Sequence, residues 1–483
     1  MRVLLVDVPD ILLPGLRKAL GGRHELAVAD DELTDPAARH ARDHDVVVHG
    51  LPTPSSDADA ILRATLGTWH LFGSLTGRTR YVLLSSMRQF AGYDDGWAID
   101  ESWGPRPDAE ELSSHLAELL SREQSRRFDV ATWVLRLDTV VPADAFAAGP
   151  VQPDWLHIDD AVSAIVAAIE READRGWRPV HVVRGDGARP LGRAGELIGW
   201  QPAHTRTGTG HDQPAWPRTL GGLTDLVVPR RITLYGAGGP LGAAAVRAMI
   251  NRPFLRVTDA EPVARTSARA PQAPGAPVPT PVPPPHEDLV VDVTDPEAVR
   301  RAAVDADCLV NLSVMRYDPI KAFTVNMLGA LHVVRAALAE GVPRIVHTGP
   351  TQSDGEFPYG HLEDRDVSGS APQRPGSWIY INAKMLGQEI VRVFANQYGL
   401  AAPVVLFCQF FVPGLTRPAH PFSLSWADTG RVLATASDIT SLPEPSPVVN
   451  ALAPSPHDSW STRELEQVLG FVASDRADES WYR

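Results

Sequence analysis

A short apolar run, Arg231-Ile-Thr-Leu-Tyr235, leads directly into Gly236-Ala-Gly238-Gly239-Pro-Leu-Gly242 and then into the alanine-rich stretch Ala243–Met249. Few folds need glycine at 236, 239 and 242 between a strand and a helix. The first glycine makes a tight turn. The second lets the backbone approach a pyrophosphate, and the third lets helix and strand pack closely. Gly238 lies in the same loop, and the helix start aims free N–H groups at phosphate. The next apolar run, Phe254–Thr258, ends at Asp259, seventeen residues past Gly242. A carboxylate there accepts hydrogen bonds from the adenosine ribose and repels a 2′-phosphate. The pattern predicts a dinucleotide site for NAD, with NADP disfavoured.

Around this loop, short apolar runs alternate with helical stretches. Ala322–Ala339 has apolar residues at helical spacing and is closed by Gly341 and Pro343; the run Arg344–His347 then reads as a buried strand. Such alternation predicts an α/β fold with a doubly wound, Rossmann-like parallel sheet. The pattern occurs twice. Arg2–Val6 answers Arg231–Tyr235, Asp45–Leu51 answers Asp307–Ser313, Arg80–Ser86 answers Arg344–Pro350, and Trp155–Asp160 answers Leu424–Asp428. The order is kept while the offset drifts, so the expectation is a tandem duplication with domains 1–228 and 229–483. Residues 201–228, rich in Gly, Thr and Pro, read as the connection. The stretch 270–285 carries eight prolines in its last fifteen residues and reads as an extended spacer.

Composition narrows the function classes. The net charge is −14, so a nucleic-acid groove is not expected. No run of 18 apolar residues predicts a membrane span, and the start lacks the long apolar core of a secretory signal. The only two cysteines, Cys308 and Cys408, cannot build a disulfide framework or a cysteine-based zinc site. A cytoplasmic protein with no metal and a small-molecule substrate is the expectation. Of 45 basic residues only Lys18, Lys321 and Lys384 are lysine. A lysine in such a chain stands out as chosen for its compact ammonium.

The runs Asp292–Val299, Asp307–Ser313, Val325–Gly329 and Gly341–His347 resemble the extended short-chain dehydrogenase/reductases of the NAD-dependent epimerase/dehydratase type. The resemblance extends from Arg231 to about Leu469 and more faintly over Met1–Trp200. It implies that Asp292 and Val293 hold the adenine. It also implies that Asn311, Leu312 and Ser313 lie under the cofactor, and that Asn326 orders the helix beside the active site.

Tyr380 and Lys384 stand at i and i+4, on one face of a helix running to Phe394. A phenol beside an ammonium is suited to general acid/base work, because the cation lowers the tyrosine pKa. The resemblance adds that Lys384 binds the nicotinamide ribose. It also places a Ser or Thr at the position held here by Pro350, which has no donor; Thr351 is the candidate replacement. Gln409 stands where relatives carry an Asn near the substrate, and Arg316 and Tyr317 are candidates for the pocket wall. His347, within a strand, reads as a core residue.

In the first half, Asp7, Asp10 and Leu13 hold the glycine positions, and neither Tyr nor Lys occurs from Gly104 to Ser121. Carboxylates there repel a pyrophosphate. The expectation is a degenerate, pseudoenzyme copy in which Ser86 is a remnant. One active site, in the second half, would then act on a hydroxyl or carbonyl of a small polar metabolite. The arginine- and alanine-rich composition associates it with specialised metabolism. Alternatives are a redox-neutral lyase, isomerase or cyclase with retained NAD, and a non-catalytic NAD-binding scaffold. By the resemblance, helices Glu110–Glu123 and Ala383–Gln397 would join the halves as an internal pseudo-dimer. Removing residues 1–228 is therefore expected to make the second half aggregate, self-pair or lose stability. A stable, fully active monomeric fragment, seen by light scattering and melting, would contradict this.

Overall fold

The computed structural model describes residues 1–29, 41–51, 57–93, 99–148, 151–152, 154–172, 175–185, 192–205, 221–268, 275–351, 375–376, 378–416, 423–454 and 462–477. It divides into two compact units, Met1–Arg218 and Thr219–Arg483.

The first unit holds a six-stranded parallel sheet in the order β2-β1-β3-β4-β5-β8. These strands are β1 (Arg2–Val6), β2 (Glu25–Ala29), β3 (Val46–His49), β4 (Arg80–Ser86), β5 (Thr132–Leu137) and β8 (Trp177–Val182). β1, β3 and β4 are centred on buried apolar runs, as expected for strands covered on both faces, whereas β5 carries Arg136 and β8 Arg178 and His181. A two-stranded parallel ribbon, β6 (Thr139–Val141) with β7 (Trp155–His157), precedes the helix Ile158–Glu170.

The second unit repeats this style in a seven-stranded parallel sheet, β11-β10-β9-β12-β13-β14-β17. Here β9 is Arg231–Tyr235, β10 Phe254–Asp259, β11 Glu287–Val290, β12 Cys308–Asn311, β13 Ile345–Pro350, β14 Val404–Phe407 and β17 Val448–Asn450. Its ribbon, β15 (Gln409–Phe411) with β16 (Ser423–Ser425), precedes the helix Trp426–Asp438. The chain leaves β9 first towards β10 and later towards β12. This change of direction opens a crevice at the carboxyl ends of the strands, where ligands bind in such sheets.

Some elements differ from the sequence reading. The strand expected at Arg344–His347 runs on to Pro350, because Thr348 to Pro350 pair with Val405 to Phe407. The helix expected over Ala322–Ala339 begins as a π-helix, Ala322–Leu328, before Gly329–Glu340 continues as α-helix. Gly341 closes it with φ 67°. Residues 221–228 pack on the second unit. Leu223 bridges Leu442, and Arg344 donates to the carbonyls of Val227, Ile439 and Ser437. Of the proline-rich stretch, residues 270–274 lie outside the described residues; Val278, Pro279 and Thr280 line a small cavity with Asp288 to Val290.

The first unit's interior holds a charged cluster. Glu118, on the helix Leu112–Phe128, accepts from the Arg136 guanidinium at 2.7 Å, the Ser85 hydroxyl at 2.6 Å and the Gln89 amide at 2.8 Å. Burial alone would raise the Glu118 carboxyl. Arg136 and the hydrogen bonds outweigh it and hold the group below its usual 4.5. Removing one partner of a buried pair leaves an uncompensated charge, worth about 3–5 kcal/mol. Glu118→Gln is expected to destabilise the chain by that order in denaturant unfolding at pH 7. Because the folded pKa is depressed, the difference from wild type should shrink as pH falls below 4.5. An unchanged midpoint would show the cluster to be dispensable.

Candidate active site

The glycine loop follows β9 as expected, and each glycine has its own reason. Gly236 has φ +74°, and a Cβ there would lie 2.6 Å from the Ser313 backbone. At Gly242 a Cβ would lie 2.3 Å from the Ala237 carbonyl oxygen. At Gly239 a Cβ would meet nothing within 4 Å, since the residue faces the open crevice ahead of the helix Pro240–Met249. Protein packing thus leaves Gly239 free, and its lack of a side chain keeps space open where a phosphate would approach. The Gly238 N–H donates to Asp259 Oδ2 at 2.7 Å, which pins the carboxylate at the loop.

These residues open into a cleft of about 520 Å³. Its wall includes Gly236, Gly239, Asp259, Leu312, Arg316, Tyr380 and Lys384. Asn311 is buried and accepts the Ser313 N–H at 3.1 Å; Ser313 is buried with its hydroxyl unpartnered among the described residues. Asp292 is exposed and accepts from Thr294, while Val293 is buried against Gly329. Neither Asp292 nor Val293 is among the residues found to line this cleft.

Tyr380 and Lys384 lie in the first turns of the helix Ile379–Tyr398. Lys384 is buried, and its ammonium donates to the Thr348 carbonyl at 3.1 Å. Burial, helped by the charge of Arg316, lowers Lys384 to about 7. Burial also raises the Tyr380 phenol, and here the structure departs from the sequence reading. The cation that opposes this shift is Arg316, which hydrogen-bonds the phenol and sits with Cζ 5.6 Å from the ring centre. Arg316 is in turn held by its loop. The Asn326 side chain accepts the Met315 N–H at 2.9 Å and donates to the Met315 carbonyl at 2.7 Å. Asn326 belongs to the π-helix, a distortion often found at functional sites.

Other candidates are placed differently. Thr351 is fully buried with an unpartnered hydroxyl among the described residues, and it is not found on the cleft wall. Thr348 reaches the wall, but its hydroxyl donates to the Asn311 carbonyl at 2.9 Å. Gln409 is exposed, while its neighbours Cys408 and Phe410 line the cleft. Strand alternation turns residue 409 away from them. Tyr317 is 81% exposed. His347 is buried as expected, 3.3 Å from the Asn311 amide, and burial and Lys384 keep it neutral. Sequence reasoning missed Trp378, Phe410 and Trp426. Trp378 stands two residues before Tyr380, and Trp426 opens the helix after β16, but nothing in a local pattern aims either ring at the site.

In the first unit, Asp7 takes φ 50° after β1 and lies 3.9 Å from buried His49. Ser86 accepts the Arg88 N–H at 3.1 Å and caps the short helix Met87–Phe90. That structural task accounts for its hydroxyl.

Residues 232–426 match the model of the NAD dependent epimerase/dehydratase family. No curated protein matches the sequence. Among solved structures, a uronate dehydrogenase from Agrobacterium tumefaciens is 20% identical, covering 51% of this chain and 85% of its own, with a TM-score of 0.38. A UDP-glucuronic acid 4-epimerase from Bacillus cereus is 13% identical over 42% and 95%, at 0.35. The dTDP-glucose 4,6-dehydratase DesIV from Streptomyces venezuelae is 16% identical over 45% and 74%, at 0.35.

The space in front of Gly239 gives a clean test. Gly239→Asp is expected to fold normally, since the new side chain meets open cleft. It should abolish NAD binding in calorimetric titration, because its carboxylate occupies and repels the phosphate position. Unchanged affinity would place the dinucleotide elsewhere.

Proposed function

We propose that the second unit is an NAD-dependent catalyst of the dehydrogenase or epimerase/dehydratase type, acting on a hydroxyl or carbonyl of a small metabolite. The observation that carries this reading is the convergence of Tyr380, Lys384 and Arg316 on one cleft with the glycine loop. The loop and Asp259 would hold the dinucleotide, and Lys384 would meet its nicotinamide ribose. That cofactor supplies the hydride acceptor and donor. Tyr380 exchanges the proton of the substrate hydroxyl, and the Arg316 guanidinium favours the phenolate, the form that accepts this proton.

A specific observation keeps a second reading in play. Pro350 offers no donor, and the Thr348 hydroxyl is already given to a backbone carbonyl. This favours a redox-neutral lyase, isomerase or cyclase step in the same cleft, with the dinucleotide retained. Net formation of NADH, followed by its absorbance, separates a dehydrogenase from both a redox-neutral enzyme and one that returns the hydride.

We read the first unit as a degenerate copy of the second. The matching strand order around β1 and β9, the two ribbons and the loss of the glycines support this reading. Its buried Glu118–Arg136 cluster then stands in place of catalytic groups.

Tyr380→Phe removes the exchangeable proton and keeps the ring. Turnover is expected to fall by about 100- to 10,000-fold with little change in NAD affinity. Lys384→Arg should weaken both, because a planar fork does not fit where a buried ammonium meets the Thr348 carbonyl. Full activity in Tyr380→Phe would remove the acid/base role.

A further inference from the structure

We propose that the substrate is a small hydroxy or oxo acid whose acid group stands beside the reacting carbon and whose remainder is an apolar ring. This rests on the function proposed above and narrows it.

Beyond Lys384 and the glycine loop, the cleft ends in Val314, Arg316, Trp378, Tyr380, Cys408 and the pair Phe410–Trp426. Phe410 and Trp426 are stacked, with centroids 4.1 Å apart and planes at 17°. Trp378 meets Tyr380 edge-on at 5.2 Å. The result is a wall of flat apolar surface. Among the described residues lining this end there is no carboxylate or amide side chain; its polar groups are Arg316, Tyr380, the Cys408 thiol and two indole N–H groups. A polyhydroxylated sugar brings several hydroxyls, each needing a partner once water is removed, and an unmade bond costs about 1–3 kcal/mol. This lining suits a ring with few polar groups.

Arg316 decides where the acid lies. No carboxylate among the described residues forms an ion pair with it, and it keeps donors to spare beyond the one it gives Tyr380. The Asn326 grip on Met315 fixes its loop. Because guanidinium and phenol touch, a substrate oxygen at Tyr380 and an acid on Arg316 must be close neighbours in one molecule. A 2-hydroxy acid, or its 2-oxo form, meets that condition. On oxidation the carbinol hydrogen leaves as hydride to the dinucleotide and the hydroxyl proton leaves through Tyr380.

Calorimetric titration of the full chain with NAD present tests this using four probes: mandelate, lactate, 1-phenylethanol and glucuronate. Mandelate, with both ring and acid, is expected to bind best. Arg316→Met should weaken mandelate by about tenfold or more, the value of a charge-assisted bond, and should weaken 1-phenylethanol, which has no acid group, distinctly less. Glucuronate or 1-phenylethanol binding as well as mandelate, or an Arg316→Met variant that keeps mandelate affinity, overturns the proposal. Failure of the wild type to bind NAD would instead bring down the parent reading, and this one with it.

Discussion

The second unit is organised by the close approach of two backbones. The turn after β9 passes so near the end of β12 that no Cβ fits at 236, and its φ lies where glycine alone is comfortable. That contact brings the glycine loop against the end of β12. Gly242 then brings the helix Pro240–Met249 down on the same turn. The helix start, the Asp259 carboxylate and the crevice follow from this packing, since each is positioned by elements that meet there.

The chemistry sits on a second layer of constraint. Lys384 is buried and aims at a backbone carbonyl, so its position is fixed but its charge is costly, and its pKa falls to about 7. A tyrosine beside such a group gains little from it electrostatically. Arg316 supplies what is missing, because an arginine stays charged where a buried lysine does not. The two cations also act on one another: Arg316 is one of the causes that lower Lys384. The site is therefore a set of three coupled groups rather than a tyrosine–lysine pair.

The first unit solves a different problem with the same architecture. Without a glycine loop it has Asp7 at a left-handed turn and a carboxylate near a buried histidine. In its interior β4, β5 and the helix Leu112–Phe128 are tied by Glu118, Arg136, Ser85 and Gln89. Burying such charges costs several kcal/mol per ion, offset only when every partner is in place. The cluster meets that condition at Glu118, which specifies how those three elements meet.

The features that the sequence determined are those governed by neighbours along the chain. The glycine spacing, the acid after β10, the Tyr–Lys interval and the strand–helix alternation depend on local backbone rules, so they were legible before any contact was known. The tertiary structure decided which side chains converge. Arg316 and Tyr380 come from separate elements and meet where Asn326 holds the loop after β12. Gln409 follows the family position yet faces out, because strand pleating presents 408 and 410 to the cleft. Thr351 is next in sequence to Pro350 but is buried off the cleft wall. Trp378, Phe410 and Trp426 line the cleft only when the helix Ile379–Tyr398 and the β15–β16 ribbon pack around the crevice. Spacing along a chain constrains a turn or a helix face; the direction of a side chain across an interior is fixed by packing, which the sequence specifies only through the whole fold.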